Sequence, residues 1–432
     1  MKVGIIADDL TGANATGVRL SKVGFTSATI VYRDKIPDSH KLDAVCIDTD
    51  TRYLPKQQIT NRIHKAMESF REWDAKIICK RIDSTIRGNI GYEIDTVLQE
   101  VGDDSIAVVV PSFPDSGRIT SGGYLLVDGI PVQETDVAQD PITPIVDSCV
   151  PKVIQQQSHH KVEHIGLDKV LAGIESLNQS LLSAINSGNR IIVIDAVTDE
   201  DIEIIAETML TIKGFNLIPT DPGPLTAAYS QAFFNQHVNP GKVIVSVGSV
   251  TALTKSQLSY LKSKTNSTPI YVSAEKLATF GVSWEEEVER ATFEAMNRIH
   301  QDDVLIITTN IEGTEKQINL KAIAEKYHST EDALAKRITD GLAKITRIVM
   351  QQTRYLIQGC FTSGGDVTAS MCAVCNASGI KLIDEVLPLT AFGKMIDGRF
   401  PNLPIVTKGG MIGDKKSIYT AVKYLQTTKT KG

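Results

Sequence analysis

The chain has 432 residues, 42% of them hydrophobic and 22% charged, with a formal net charge of −6. That balance belongs to a globular protein large enough for two or three domains. No basic run occurs, so nucleic acid is not an expected partner, and every apolar run is far shorter than a membrane span. The N-terminus lacks the basic segment, apolar stretch and cleavage site of a signal peptide, and the six cysteines are scattered. A reduced, cytoplasmic protein is expected. Cys372 and Cys375 have CxxC spacing but no second pair and no nearby His, and they read as core.

The first predicted strand is Val3 to Ala7. It ends in two carboxylates, Asp8 and Asp9, and a helix is expected to begin near Gly12. One of the two Asp residues could simply cap that helix. A second strand-like run covers Ser27 to Tyr32. Ala44 to Ile47 follows and ends in DTDTR, which contains Arg52. A helix covers Gln57 to Trp73. The strand Lys76 to Cys79 ends in a run that holds Lys80, Arg81, Asp83, Arg87 and Asn89. Gly91 to Val101 reads as helix and Ile106 to Val110 as strand.

Continuous apolar strands alternating with helices imply a doubly wound parallel sheet, whose ligand crevice lies at the carboxyl ends of the strands. Three polar strand ends on that edge suit a small polyhydroxylated anion. Arg52, Lys80, Arg81 and Arg87 can pair with a carboxylate, and Asp9 and Asp83 can accept hydrogen bonds from hydroxyls. The structural alternative is that these Arg and Asp residues pair with each other.

After Pro111 comes a long segment rich in Pro, Gly, Asp and Thr. Short strands are expected at Tyr124 to Val127 and Ile130 to Gln133, joined by the hairpin signal Asp128-Gly129. Gly117-Arg118 and Asp140-Pro141 are candidates for shaping a pocket. His164 to Leu167 and Ile191 to Asp195 read as strands. His159, His160 and His164 show no carboxylate or thiolate at ligand spacing and are not read as a metal site.

Asp221-Pro222-Gly223-Pro224 is a break, and Asn239-Pro240-Gly241 marks a domain boundary, which gives domains 1–238 and 239–432. The second half restarts the α/β pattern with strands at Lys242 to Val247, Ile270 to Val272, Val304 to Thr308, Tyr355 to Cys360 and Pro404 to Thr407. Three of these run into Gly-rich turns: Gly248-Ser249, then Thr362-Ser363-Gly364-Gly365-Asp366, then Lys408-Gly409-Gly410. Such turns let backbone N–H groups approach an anion at a helix N-terminus. Neither GxxxxGK[ST] nor GxGxxG is present. The expected architecture is two doubly wound α/β domains with mainly parallel sheets and a crevice between them, one domain for a small polar anion and one for phosphates.

GIIADDLTGA, DTDTR, KRIDSTIRGNIG and PSFPDSGR, then TSGGDVTA and KGGMIGD, resemble the four-carbon acid sugar kinase family over nearly the whole chain. The resemblance implies ATP-dependent phosphorylation of the terminal hydroxyl, O4, of a four-carbon sugar acid. D-threonate is the first expectation; D-erythronate and 3-oxo-tetronate are alternatives, and a sugar-acid sensor without turnover is a more distant one. Arg81 departs from the family, where Ile or Val is often seen. Carried over by position, Asp9, Arg52, Lys80 and Asp83 resemble substrate-binding residues, and Ser249, Gly364, Gly365 and Gly410 resemble ATP contacts. Asp9 or Asp83 is expected to deprotonate the hydroxyl. The backbone of Thr362 to Asp366 is expected to hold the triphosphate, with Mg²⁺ bridging its oxygens and its protein ligands open. A homodimer is compatible with the chain, and no membrane partner is expected.

Overall fold

A computed structural model describes residues 2–31, 35–37, 41–237, 241–248, 251–310, 318–353 and 356–427. The chain divides into two compact units, Met1–Val238 and Asn239–Gly432.

Unit 1 runs β1 (Val3–Ala7), α1 (Leu10–Lys22), β2 (Ser27–Val31), β3 (Ala44–Asp48), α2 (Lys56–Glu72), β4 (Ile77–Arg81), α3 (Ile90–Val101) and β5 (Ser105–Val109). A small antiparallel sheet follows: β6 (Arg118–Ser121), β7 (Tyr124–Val127) and β8 (Ile130–Pro131). Then come α4 (Val150–Gln157), β9 (Val162–Ile165), α5 (Leu167–Leu171), α6 (Ile174–Asn186), β10 (Ile191–Ile194), α7 (Asp199–Thr211), β11 (Asn216–Asp221) and α8 (Pro224–His237). The main sheet has the order β2-β3-β1-β4-β11-β5-β10-β9, and all of its pairings are parallel.

Strand alternation builds two cores. Val3 and Ile5 face a layer with Leu20, Leu177, Ile205 and Leu225, whereas Ile6 faces Ile59, Ile63, Phe70 and Ile94. The chain leaves β1 toward β2 and β3 on one side and returns to β4 on the other. This is a topological switch point, and it makes β3, β1 and β4 neighbours.

β11 lies inside the sheet, where the sequence reading places no strand. A proline argues against an interior strand, and Pro219 is in the middle of this one. The ladder explains how it is tolerated. Thr220 O accepts from Val110 N on the β5 side, and Asp221 O accepts from Ile82 N on the β4 side. Alternation therefore points the missing N–H of Pro219 toward β4. There the pairing consists of Thr220 with Lys80 and Asp221 with Arg81. Below that point the strands part, and a cavity of about 430 Å³ opens beside Ile78, Leu217 and Tyr229.

Unit 2 runs β12 (Lys242–Val247), α9 (Ala252–Thr265), β13 (Ile270–Tyr271), α10 (Ala274–Leu277), α11 (Val282–Arg298), β14 (Val304–Thr308), α12 (Leu320–Tyr327), α13 (Glu331–Gln352) and β15 (Ile357–Ser363). It continues with α14 (Gly365–Val374), β16 (Gly379–Leu387), β17 (Thr390–Ile396), β18 (Pro404–Lys408) and α15 (Ser417–Thr427). The sheet order is β13-β14-β12-β15-β18-β17-β16. Its first five strands are parallel, and β17 and β16 add an antiparallel edge. That hairpin is absent from the sequence reading. Its turn places Leu389 at φ 61° instead of a Gly or Asn, and the middle of β16 is exposed without alternation.

Gly4 lies in β1 on the face of Phe70, and a Cβ there would come within 2.8 Å of the buried ring. Gly4→Ala is expected to destabilise unit 1 by about 1–3 kcal/mol through overpacking. Urea denaturation compared with the parent chain checks this.

Candidate active site

The ends of β3, β1 and β4 are level: Ala7 pairs with Asp48 on one side and with Arg81 on the other. The three polar loops therefore emerge side by side. Asp8 is buried at their centre. Arg52 Nε donates to its Oδ2 at 2.7 Å, and Arg81 Nη1 donates to its Oδ1 at 2.7 Å. Burial pushes the Asp8 carboxyl up, but Arg81, Lys80 and Arg52 outweigh it and hold the group below the usual carboxylate range.

Asp9 has two jobs at once. It caps α1, accepting from Gly12 N at 3.0 Å, so the helix starts at Leu10 and not near Gly12. It also accepts from Arg81 Nη1 at 2.8 Å and lies 2.9 Å from Arg52 Nη2. All of these contacts use Oδ1. The side chain is 28% exposed, and Oδ2 has no partner among the described residues. Gly12 is required for this clamp, because a Cβ there would lie 1.9 Å from Arg81 Cζ.

Asp83 is filled. Thr85 donates through its hydroxyl and amide, and Arg87 donates through its amide, through Nε at 2.8 Å and through Nη2 at 3.0 Å. Burial pushes its pKa up, but Arg87, Arg52 and Thr85 together pull it well below the ordinary carboxylate value. A carboxylate so satisfied is a weak base, and Asp83 acts here to hold its loop. Between Asp83 and Arg87, Ile86 takes φ 58° with its side chain buried. A left-handed β-branched residue is strained, and such strain gathers at functional loops.

The four cations are not equally open. Lys80 is 1% exposed. Its Nζ donates to Arg81 O at 2.6 Å and lies 2.7 Å from Glu93 Oε2, on the first turn of α3. Lys80, expected to take a ligand carboxylate, is here buried and paired with Glu93. Sequence reasoning missed Glu93 because a lone Glu in a first helical turn looks like a surface residue. Arg52 Nη2 is buried near Asp9 and Asp83 but has no hydrogen bond of good geometry. Arg81 Nε is likewise buried without a partner. Arg87 is 28% exposed and reaches Asp140 Oδ2 at 3.5 Å, which Tyr53 also contacts at 2.9 Å. The long loop after Pro111 thus closes one side of the patch through Asp140.

Unit 2 repeats the plan with other chemistry. β12, β15 and β18 are adjacent, and Val247, Ser363 and Lys408 are level. Ser249 lies outside the described residues. Thr362 Oγ1 is bonded to Thr368 Oγ1, and Gly364 N donates to Lys408 O at 2.8 Å. The Gly364 amide, expected with those of Thr362 to Asp366 to meet the triphosphate, is thus taken up by the neighbouring strand in this structure. Gly365, Asp366 and Val367 open α14 with amides that have no partner among the described residues. Ser363 Oγ is buried without a partner among the described residues. Gly410 presents its carbonyl to Thr251 and Thr254.

Asp95 of α3 lies beside His159 and His160, with ligand atoms within 4.8 Å of one another. This corrects the expectation that no carboxylate accompanies the pair. Asp95 is nevertheless occupied, by Ser158 Oγ and by His159 N at 2.9 Å.

Asp8 and Asp83 stay ionised in the folded chain below the pH, about 3.9, at which an unfolded Asp takes up a proton. The unfolded chain binds protons first, so their contribution is present above pH ~4 and is lost as pH falls further. Glu93, pushed up by burial, works in the opposite sense as pH rises past its unfolded value. The urea midpoint of unit 1 is expected to drop between about pH 4 and pH 2, and Asp83→Asn to flatten that slope. A midpoint that stays level over this range contradicts the assignment.

Comparison with known proteins agrees with this division. A family model described as a sugar-binding N-terminal domain matches residues 3–229, and one described as a nucleotide-binding C-terminal domain matches residues 244–418. The chain is 40% identical over 430 residues to a D-erythronate kinase of Heliobacterium modesticaldum, covering 98% of this chain and 97% of that one. It is 30% identical to a D-threonate kinase of Salmonella typhimurium, covering 99% of each. A crystal structure of a domain of unknown function from Bordetella bronchiseptica, a domain-swapped dimer with bound citrate, superposes with TM-score 0.74 over 99% of this chain and 100% of that one. At 24% identity it attests to the fold. The chain belongs to the four-carbon acid sugar kinase family.

Proposed function

We propose that this protein transfers the γ-phosphoryl group of ATP to the terminal hydroxyl, O4, of a four-carbon sugar acid. The observation that carries this reading is the pairing of two sites. Unit 1 has a charged patch whose accessible groups are the Asp9 carboxylate and the Arg87 guanidinium. Unit 2 has backbone amides without a partner among the described residues at the ends of two adjacent strands, β15 and β18. D-erythronate is the first substrate to test, because the relative at 40% identity bears that name, whereas the D-threonate kinases are at 30% and 26%. D-threonate, the first expectation from the family resemblance, is the second.

In this reading the substrate carboxylate pairs with Arg87, with Arg52 set behind it on the same Asp83. Asp9 Oδ2 accepts the O4 hydrogen bond and takes the proton as the P–O bond forms. Asp8, clamped by Arg52 and Arg81, keeps those groups in place. Lys80 and Glu93 brace the floor. The amides of Gly365 and Asp366 and the loop at Gly410 receive phosphate oxygens. Mg²⁺ would accompany the nucleotide, and Asp366, exposed on the first turn of α14, is one carboxylate these loops would offer it.

A coupled ADP-release assay over D-erythronate, D-threonate, their L forms and 3-oxo-tetronate tests the reading. Turnover is expected on one of the D-tetronates, with the phosphate on C4 by phosphorus NMR. ADP release on none of them contradicts it. Asp9→Asn keeps a good helix cap and the side-chain volume but removes the base. Its kcat is expected to fall by about 10²–10⁴ with the melting temperature little changed. A kcat within tenfold of the parent rules Asp9 out as the base.

A further inference from the structure

Two lysines close strands at the functional edges of their sheets, and both are almost completely buried. Lys80 has Glu93 at 2.7 Å. Lys408, 3% exposed at the end of β18, has no carboxylate within ion-pairing distance among the described residues. Its Nζ donates to two carbonyls of its own loop, Gly409 O at 2.7 Å and Ile412 O at 3.1 Å. Burial pushes its pKa down with no compensating anion. An ammonium held in this way is costly unless a negative charge completes it.

The loop around Lys408 has a consistent polarity. Gly409 O and Ile412 O point to Lys408, and Gly410 O points to Thr251 and Thr254. Ile412 O and Asp414 O point to Gln257, at 3.1 Å and 2.7 Å. A trans peptide sets each N–H opposite the preceding carbonyl, and no cis peptide occurs among the described residues. With the carbonyls turned inward, the amides of Gly410, Met411 and Gly413 turn outward, and none has a partner among the described residues. Ser363, level with Lys408 across the ladder, adds a buried hydroxyl without a partner among the described residues. The first-turn amides of α14 begin two residues later.

We propose that Lys408 is the charged positioning residue of the phosphate site, turning the Gly409–Asp414 carbonyls inward and supplying the buried positive charge that a polyphosphate neutralises. The proposal rests on the ATP reading for the identity of the ligand, but its chemistry requires only a chain of phosphates. Because the charge acts on phosphates and not on the base or ribose, its effect must grow with phosphate number.

Calorimetric titration of the full chain with ATP, ADP, AMP, adenosine and inorganic tripolyphosphate tests this in the parent, K408M, K408Q and K408R. K408M is expected to lose at least tenfold in affinity for ATP and tripolyphosphate and less for AMP, with adenosine within about threefold. K408R is expected to recover most of the loss. K408Q, which can still donate to one loop carbonyl, replaces K408M if the latter does not fold. Equal loss for adenosine and ATP, or no loss for either, overturns the proposal and leaves Lys408 a structural brace. If the parent binds tripolyphosphate in a Lys408-dependent way but not ATP, the phosphate site stands and the ATP reading falls. If the parent binds neither, both fall.

Discussion

The fork of Arg52 and Arg81 on the buried carboxylate of Asp8 is the contact on which the first unit depends. Each guanidinium takes a different oxygen, so the carboxylate is held from both sides. The three residues come from the ends of three different strands or the loops after them. They meet because β3, β1 and β4 are adjacent and in level register at the switch point. Removing one member would strand a buried charge, at a cost of roughly 3–5 kcal/mol. The same fork fixes Asp9, because Arg81 Nη1 bridges Asp8 and Asp9. Asp9 is thus aimed by a structural pair, and its second oxygen has no partner among the described residues.

The two units apply one topological device with opposite chemistry. In each, three neighbouring strands end level at the carboxyl edge of a parallel sheet. Unit 1 fills that edge with paired side-chain charges, which suits an acid whose hydroxyls and carboxylate must be sorted by direction. Unit 2 fills it with glycines and outward amides, which suit phosphate oxygens of any orientation. Threonate and erythronate differ only in the relative configuration of two hydroxyls. If the proposed site is right, discrimination between them rests on a few hydrogen-bond partners around Asp9 and Arg87, not on the frame.

Much of the frame was legible from apolar runs ending in polar or Gly-rich loops, and so was the gathering of Asp9, Arg52, Arg81 and Asp83. What escaped has specific physical causes. β11 carries Pro219, tolerated because the neighbouring ladder opens there. The β16–β17 hairpin turns on Leu389 at positive φ, with none of the usual turn residues. Glu93 pairs with Lys80 across tertiary space, which no spacing rule reveals. Asp9 was read as either a cap or a ligand group, and the fold has it cap α1 while presenting its second oxygen. The pairing of Arg with Asp, weighed as the structural alternative, is present in every arginine of the patch. It coexists with exposed groups on Asp9 and Arg87.

In the proposed function the charged patch of unit 1 recognises an acid and not merely a polyol. Calorimetric titration with D-erythronate and with erythritol, which differs by having an alcohol in place of the carboxylate, tests it most directly. Both titrations are run with a non-hydrolysable ATP analogue present. The account expects D-erythronate to bind and erythritol to bind at least a hundredfold more weakly, the loss of about 2.7 kcal/mol that a charge-assisted contact supplies. Equal affinity for the two, or binding of neither, would contradict it.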